Sequence, residues 1–203
     1  AISVLGGNLC RFAVGAMPFL LAMLLQVGFG LSPFQAGLIT FASAAGSLLM
    51  KFVATPIVQR YGFRRVLTVN ALLTGGFVIA CAAFTASMPA WLLILILLLG
   101  GFFRSLQFTG INTLTYADIS QEQMSSASSF SAMAQQLGVS LGVGVAAVTL
   151  HASMALHGRT SLVATDALVG FLVIGVLCMV SYFSFRRLPV WAGAQLSLGK
   201  KHG

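Results

Sequence analysis

The amino-acid sequence predicts an all-α membrane protein with six transmembrane helices. Of its 203 residues, 58% are hydrophobic and only 7% are charged, whereas soluble domains carry about 25% charged residues. Long apolar segments recur along the whole chain, so a single signal peptide does not account for them. A bilayer core needs about 20 mostly apolar residues per helix. Six segments meet this length, at about 12–31, 36–57, 66–87, 90–112, 127–149 and 165–185.

The connections between these six spans are short and contain turn-forming residues. Examples are GFGLSP at 28–33, QRYGFRR at 59–65 and LHGRTS at 156–161. Short connections predict that consecutive helices are antiparallel neighbours. The sequence therefore predicts one six-span unit over residues 8–187, followed by a tail at 188–203.

The positive charges predict the orientation of the chain in the membrane. Six antiparallel spans place both termini and the connection at 59–65 on one face, and nine of the eleven Lys and Arg fall there. The opposite face carries Arg159, and Arg104 lies within a span. Loops rich in Lys and Arg remain in the cytoplasm, so both termini are expected to be cytoplasmic. The nine residues are Arg11, Lys51, Arg60, Arg64, Arg65, Arg186, Arg187, Lys200 and Lys201.

This charge distribution, with no groove-binding motif, predicts contact with a lipid bilayer and no binding to nucleic acid. The chain has only three acidic residues, Asp118, Glu122 and Asp166, and none of them falls in the middle of a span. The three Cys and three His lack the spacing of metal ligands. We therefore expect no cofactor, no metal and no catalytic site, which disfavours a membrane-embedded enzyme.

The fourth span concentrates strong hydrogen-bonding groups. At 100° per residue, Gln107 and Asn112 lie at about −60° and about 80° from Arg104 around the helix axis, so the three are expected to share one broad face. Arg104 is about 14 residues, or roughly 20 Å, from the outer end of its helix. Either it is a snorkelling or internally paired arginine, or it lines a solvated pathway where it holds an anionic group.

The fifth span carries a stripe of small and polar residues at helical spacing, formed by Ser128, Ser131, Gln135, Gly138 and Gly142. The glycines and serines are explained by helix packing, because small residues let two backbones approach closely. Gln135 and the neighbouring Gln136 are bulkier and would each leave amide groups unpaired in hydrocarbon, so one of them either bridges helices or faces a wet cavity.

The connection between the second and third spans, TPIVQRYGFRRVL at 55–67, resembles the loop signature of the major facilitator superfamily. Its basic and glycine positions are matched by Arg60, Gly62 and Arg64. Three other positions of the signature are replaced, by Thr55, Gln59 and Phe63. These departures resemble the degenerate copy of the signature in the C-terminal half of such transporters.

Two longer stretches, RFAVGAMPFLLAMLLQVGFGLSPFQAGL at 11–38 and RSLQFTGINTLTYADIS at 104–120, are similar to the C-terminal six-helix bundle of the fourteen-span drug:proton antiporter branch. The resemblance implies that the first, second, fourth and fifth helices line a central cavity, with the third and sixth outside. It implies a cytoplasmic gate loop containing Arg60, Gly62 and Arg64. The candidate cavity residues that it implies are Gln26, Arg104, Gln107, Asn112 and Gln135.

The resemblance also implies a function, partners and a location. The expected function is export of drugs or small organic compounds by proton-coupled antiport from the bacterial inner membrane. This chain would be the C-terminal half, and an N-terminal half-bundle would complete the substrate site and supply the proton-carrying acid. The alternatives are a non-transporting six-span assembly or sensing protein, and a half-size transporter that acts as a homodimer.

Overall fold

The computed structural model describes residue 11 and residues 15–116 and 124–187, and these residues form helices without any strand. The helices are α1 (Gly15–Gly28), α2 (Pro33–Tyr61), α3 (Phe63–Ala80), α4 (Ala90–Tyr116), α5 (Met124–Leu156) and α6 (Ala164–Arg186). A 3₁₀ turn at Cys81–Ala83 follows α3.

Five of these helices, α2 to α6, are long and apolar enough to cross a membrane. The prediction of six spans is therefore supported for five of them, and the chain is a multi-pass membrane protein. The first predicted span, 12–31, is described as the shorter helix α1. Its last six residues, Met23–Gly28, are π-helical, and Gly30 then takes a left-handed φ of 67°. The predicted tail at 188–203 lies outside the described residues.

The bounds of α2 follow from specific capping residues at both ends. Ser32 and Gln35 form a capping box in which each side chain accepts a hydrogen bond from the backbone N–H of the other, and Pro33 occupies the first turn. At the other end, Gly62 adopts φ 78° and ψ 148°, a conformation that is nearly restricted to glycine. This single residue separates α2 from α3, so the predicted connection at 59–65 is mostly helical.

The most extensive helix contact is between α2 and α4. It depends on small residues, because a Cβ atom added at Gly46 would collide with the backbone carbonyl of Leu98. Serine hydroxyls then link the two backbones. Ser47 Oγ donates to the carbonyl of Gly101 at 3.0 Å, and Ser105 Oγ donates to the carbonyl of Ser47 at 3.0 Å. Close packing of this kind holds helices together where lipid removes the hydrophobic driving force.

The second extensive contact is between α3 and α6, where Gly75 and Gly175 face each other. A guanidinium N–H of Arg64 donates to the carbonyl of Arg186 at 2.9 Å, which places the start of α3 beside the end of α6. We call this end of the bundle the basic end, because Arg60, Arg64, Arg65, Arg186 and Arg187 lie there. The opposite end contains Asp166, at the start of α6.

Candidate functional site

Arg104 lies in the middle of α4 and borders a cavity of about 310 Å³ between α1, α2 and α4. Its guanidinium donates a hydrogen bond to Ser43 Oγ of α2 at 3.3 Å. Gln26 of α1 and Thr40 of α2 also line the cavity, and most of the remaining wall is apolar. The structure therefore brings together two of the predicted cavity residues, Gln26 and Arg104.

Gln26 reaches this cavity from the π-helical segment of α1. A π-helix has i→i+5 hydrogen bonds and usually occurs as a single wide turn, often at functional sites. The wide turn sets the direction in which the side chain of Gln26 leaves the helix. Its amide adds both donors and an acceptor to a wall that otherwise carries hydroxyl groups and one guanidinium.

The electrostatics of the cavity are dominated by Arg104. Within the described ranges, the side chain forms no ion pair, since the one ion pair there joins Arg159 to Asp166 at the far end of the bundle. Asp118 and Glu122 lie outside the described residues. An arginine at this depth costs at least about 2.5 kcal/mol even on the lenient insertion scale. The cavity thus presents a cation whose charge no described carboxylate balances.

Gln107 does not share this cavity. The side chain is 2% exposed and lies between α3 and α4, where its Oε1 accepts a hydrogen bond from Asn70 Nδ2 at 2.8 Å. The same Asn70 amide donates to the carbonyl of Phe103 at 2.8 Å. The expectation that Gln107 faces the same side of α4 as Arg104 is therefore corrected. Because α2 and α3 pack on different sides of α4, residues 60° apart contact different helices.

Asn112 lies closer to the basic end, eight residues beyond Arg104. Its Oδ1 accepts a hydrogen bond from Arg11 at 3.3 Å, which links α4 to the residues before α1. Neither Asn112 nor Gln107 is among the described residues that line the Arg104 cavity. In the structure, Asn112 connects α4 to Arg11. Contact between Asn112 and a substrate remains a prediction.

On α5, three of the five residues of the predicted small and polar stripe are buried. Ser131, Gly138 and Gly142 are buried, whereas Gln135 is half-buried and Ser128 is exposed. Ser128 Oγ donates back to the carbonyl of Ser125 at 2.9 Å, within its own helix. Gln135 is not among the described residues of the Arg104 cavity, so its place in a substrate site remains a prediction.

The close approach of α1 and α5 lies beside this stripe. A Cβ atom added at Gly15 of α1 would collide with the backbone of Val139, which follows Gly138 in α5. In contrast, a Cβ atom at Gly144 would meet no atom within 4 Å. The buried glycines thus lie on the packed face of α5, and Gly144 lies off that face.

The three residues of the predicted gate loop have different environments at the basic end. The guanidinium of Arg60 lies over the ring of Tyr61, at 5.8 Å from its centroid. Gly62 forms the α2–α3 junction, and Arg64 holds the carbonyl of Arg186. These contacts explain local structure, and a gating role stays a prediction.

Ser43 and Ser47 contact α4 from α2, and neither was predicted from the sequence as a site residue. A signal for them exists in the sequence, because Ser43, Gly46 and Ser47 recur at one-turn spacing, the pattern of small residues at a helix interface. Asn70 was also missed as the partner of Gln107. No spacing rule within one helix identifies such a partner, since the contact depends on how α3 packs against α4.

Comparison with known proteins agrees with this architecture. The profile of the Major Facilitator Superfamily matches residues 4–201. A "Putative multidrug resistance protein MdtD" from Pectobacterium atrosepticum is 34% identical over 99% of this chain and 44% of the relative. The proteins of that name from Cronobacter sakazakii and Yersinia pestis are 37% and 32% identical, over 72% and 98% of this chain.

The chain spans 44% of the Pectobacterium relative, 31% of the Cronobacter relative and 43% of the Yersinia relative. The family profile, in contrast, covers nearly all of the chain. Together with the apolar helices and the glycine-mediated helix pairs, this match assigns the family: the chain belongs to the major facilitator superfamily.

Proposed function

We propose that this protein exports drugs or other small organic compounds across the bacterial inner membrane by proton-coupled antiport, with this chain forming the C-terminal six-helix half. Membership of the major facilitator superfamily and the multidrug resistance names of the relatives support transport. They do not favour the alternative of a non-transporting assembly or sensing protein. The proposed partners are a small-molecule substrate, the lipid bilayer and an N-terminal half-bundle.

The observation that carries this proposal is the position of Arg104 beside the cavity between α1, α2 and α4. Its guanidinium is bonded to the neutral Ser43 hydroxyl, and no described carboxylate neutralises it. A substrate with an anionic or strongly accepting group would satisfy this cation, while the apolar walls at Pro18 and Leu21 would contact its hydrocarbon part.

The proton site is proposed to lie on the N-terminal half-bundle. Proton-driven transporters need a titratable group within the membrane, and the one described carboxylate, Asp166, is instead bound between the end of α5 and the start of α6. Transporters of this architecture place substrate between two bundles near the membrane midplane. In this arrangement Arg104 would contact substrate from one side, and the acid would exchange its proton on the other.

The test compares Arg104→Ala and Arg104→Lys in the full-length protein, reconstituted in proteoliposomes with an imposed pH gradient. We expect Arg104→Ala to lower the transport rate of anionic compounds by at least tenfold, the scale of one charge-assisted hydrogen bond. Arg104→Lys should retain part of the rate, because the charge remains although the forked geometry is lost. Transport of cationic compounds should fall less or rise.

Arg187→Ala is the matched control, since it removes an exposed arginine at the basic end that does not line this cavity. It should leave the preference for anionic over cationic compounds unchanged. Thermal unfolding in detergent shows whether either variant has lost its fold. If folded Arg104→Ala retains the transport rate, pH dependence and substrate range of the unsubstituted protein, the proposed role is wrong.

A further inference from the structure

A second cavity, of about 330 Å³, is an apolar groove between α2, α3 and α4. Its walls include Met50 and Ile57 of α2, Val69 and Leu73 of α3, and Phe102 of α4. Val69 and Leu73 are also exposed at the surface of the bundle, so the groove opens sideways. We call this cavity the lateral groove.

A polar pocket of about 460 Å³ lies beside the lateral groove at the basic end, and the two cavities share the lining residues Tyr61, Arg65 and Val69. The polar pocket adds Arg64 and the end of α6, including Arg186. The two adjoining cavities together have an apolar part within the bundle and a part lined by three arginines. We call the polar part the arginine pocket.

The lateral groove has the properties of a site for hydrocarbon. Asn70 is the one amide in its described lining. Both N–H groups of that amide are donated, to the carbonyl of Phe103 and to Gln107, so its buried Oδ1 is the one amide atom there without a described partner. Water finds few partners in such a place, and an empty groove would forfeit dispersion contacts along its walls. In a bilayer, the acyl chain of a lipid is available to fill this groove.

The arginine pocket requires an anion. Arg65 and Arg186 are exposed. Arg64 donates one N–H to the carbonyl of Arg186, and the other N–H groups of Arg64 remain available as donors. No described carboxylate lies at this end, since Asp166 is at the opposite end of α6. Guanidinium groups match phosphate oxygens in geometry as well as charge. Basic pockets between transmembrane helices at a membrane surface are suited to phospholipid headgroups.

We propose that the lateral groove and the arginine pocket together bind one anionic phospholipid. One acyl chain lies in the lateral groove between α2, α3 and α4, and the phosphate lies among Arg64, Arg65 and Arg186. A phospholipid carries both parts, the acyl chain and the phosphate, in one molecule. The site is separate from the Arg104 cavity, so it does not depend on which compounds the protein transports.

The headgroup is tested by native mass spectrometry of the full-length protein after exchange into nanodiscs that contain phosphatidylglycerol and phosphatidylcholine. We expect one phosphatidylglycerol to be retained in preference to phosphatidylcholine. Arg65→Gln and Arg186→Gln should each weaken this retention by roughly fivefold, the effect of one basic residue near a membrane surface. Arg187→Gln is the matched control, because it removes the adjacent charge outside the described lining and should retain the lipid.

The acyl chain is tested with two tryptophan substitutions on α3. Leu73 and Leu72 are 40% and 41% exposed, but only Leu73 is a described wall residue of the lateral groove. Leu73→Trp should displace the bound phosphatidylglycerol, and Leu72→Trp should not. Millimolar inorganic phosphate should fail to compete with the lipid.

Three results would overturn the proposal. If Arg186→Gln and Arg187→Gln weaken the retention of phosphatidylglycerol equally, the lipid is held by diffuse surface charge and not by a defined pocket. Competition by inorganic phosphate, with no effect of Leu73→Trp, would show a simple anion site. Equal retention of phosphatidylcholine would show that the arginines do not select the headgroup.

Discussion

Asp166 and Arg104 are both charged side chains within the bundle, but their surroundings differ. Asp166 is 0% exposed, and its carboxylate accepts hydrogen bonds from Ser153 Oγ at 2.6 Å and from the backbone N–H of Val163 at 3.1 Å. An ion pair with Arg159 at 3.4 Å completes the set. A buried charge is tolerated when its hydrogen-bonding capacity is filled. Asp166 is therefore a structural residue, whereas Arg104 keeps donors directed at a cavity.

At this scale we predict the effect of Asp166→Asn. The substitution keeps the shape of the side chain but places an amide N–H₂ against one of two donors, Ser153 Oγ or the Val163 N–H. Hydrogen bonds to charged groups contribute about 1.5–3 kcal/mol each, so the free energy of unfolding should fall by about that amount. The measurement is thermal or denaturant unfolding in detergent.

Arg159→Gln serves as the control for this prediction. It removes the ion pair, whose arginine is 29% exposed, and an exposed hydrogen bond from Arg159 to Thr165 Oγ1 at 3.3 Å, so a loss below about 1 kcal/mol is expected. Equal losses in Asp166→Asn and Arg159→Gln would contradict the view that the hydrogen bonds from Ser153 and Val163 stabilise the carboxylate.

At the scale of the elements, the bundle is assembled through helix pairs that approach at small residues. α2 contacts α4 at Gly46, and α3 contacts α6 at Gly75 and Gly175. Serine side chains add hydrogen bonds across the first pair, where Ser47 Oγ donates to the carbonyl of Gly101. The α2–α4 pair also supports the cavity, because Ser43 and Arg104 extend from its two helices.

We predict that Gly46→Ala destabilises this pair. The added methyl group would meet the carbonyl of Leu98, a backbone atom that moves only with its helix, and overpacking of this kind costs about 1–3 kcal/mol. Gly144→Ala is the control, since its methyl group meets nothing within 4 Å. Alanine is the better helix former by up to about 1 kcal/mol. The melting temperature should therefore fall for Gly46→Ala and stay constant or rise for Gly144→Ala.

The order of helices α2 to α6 was predictable from the sequence because apolar length alone determines whether a segment can span a bilayer. Their ends were less predictable, since they depend on the Ser32–Gln35 capping box and on the backbone of Gly62. The presence of Arg104 beside a cavity was also predictable. The hydrogen bond between Gln107 and Asn70 was not predictable. The angle of a residue around its own helix does not specify which neighbouring helix packs against that residue.

At the scale of the whole molecule, the two ends of the bundle differ in charge. The basic end carries Arg60, Arg64, Arg65, Arg186 and Arg187, while at the opposite end Arg159 is paired with Asp166. Positive residues near span ends favour the cytoplasmic side. The structure keeps these arginines together, since α3 begins where α6 ends. This asymmetry underlies the proposed orientation.

We predict that the basic end faces the cytoplasm. In a cysteine-free background, Ser161→Cys lies on the exposed α5–α6 connection and Arg187→Cys lies at the end of α6. A membrane-impermeant maleimide added to cells with a permeabilised outer membrane should label Ser161→Cys alone. Both should react after the inner membrane is opened. Labelling of Arg187→Cys in cells with a sealed inner membrane would reverse the assigned orientation.

The π-helical segment of α1 has a consequence for the shape of the cavity. Each of its i→i+5 hydrogen bonds spans one more residue than the corresponding bond of an α-helix, and Gln26 lies inside this segment. Rewinding Met23–Gly28 as an α-helix would shift the register by about one residue, which corresponds to about 100° of rotation. Such a twist would change the direction in which the Gln26 side chain enters the cavity. The helix type of this six-residue segment thus determines where Gln26 presents its amide in the cavity wall.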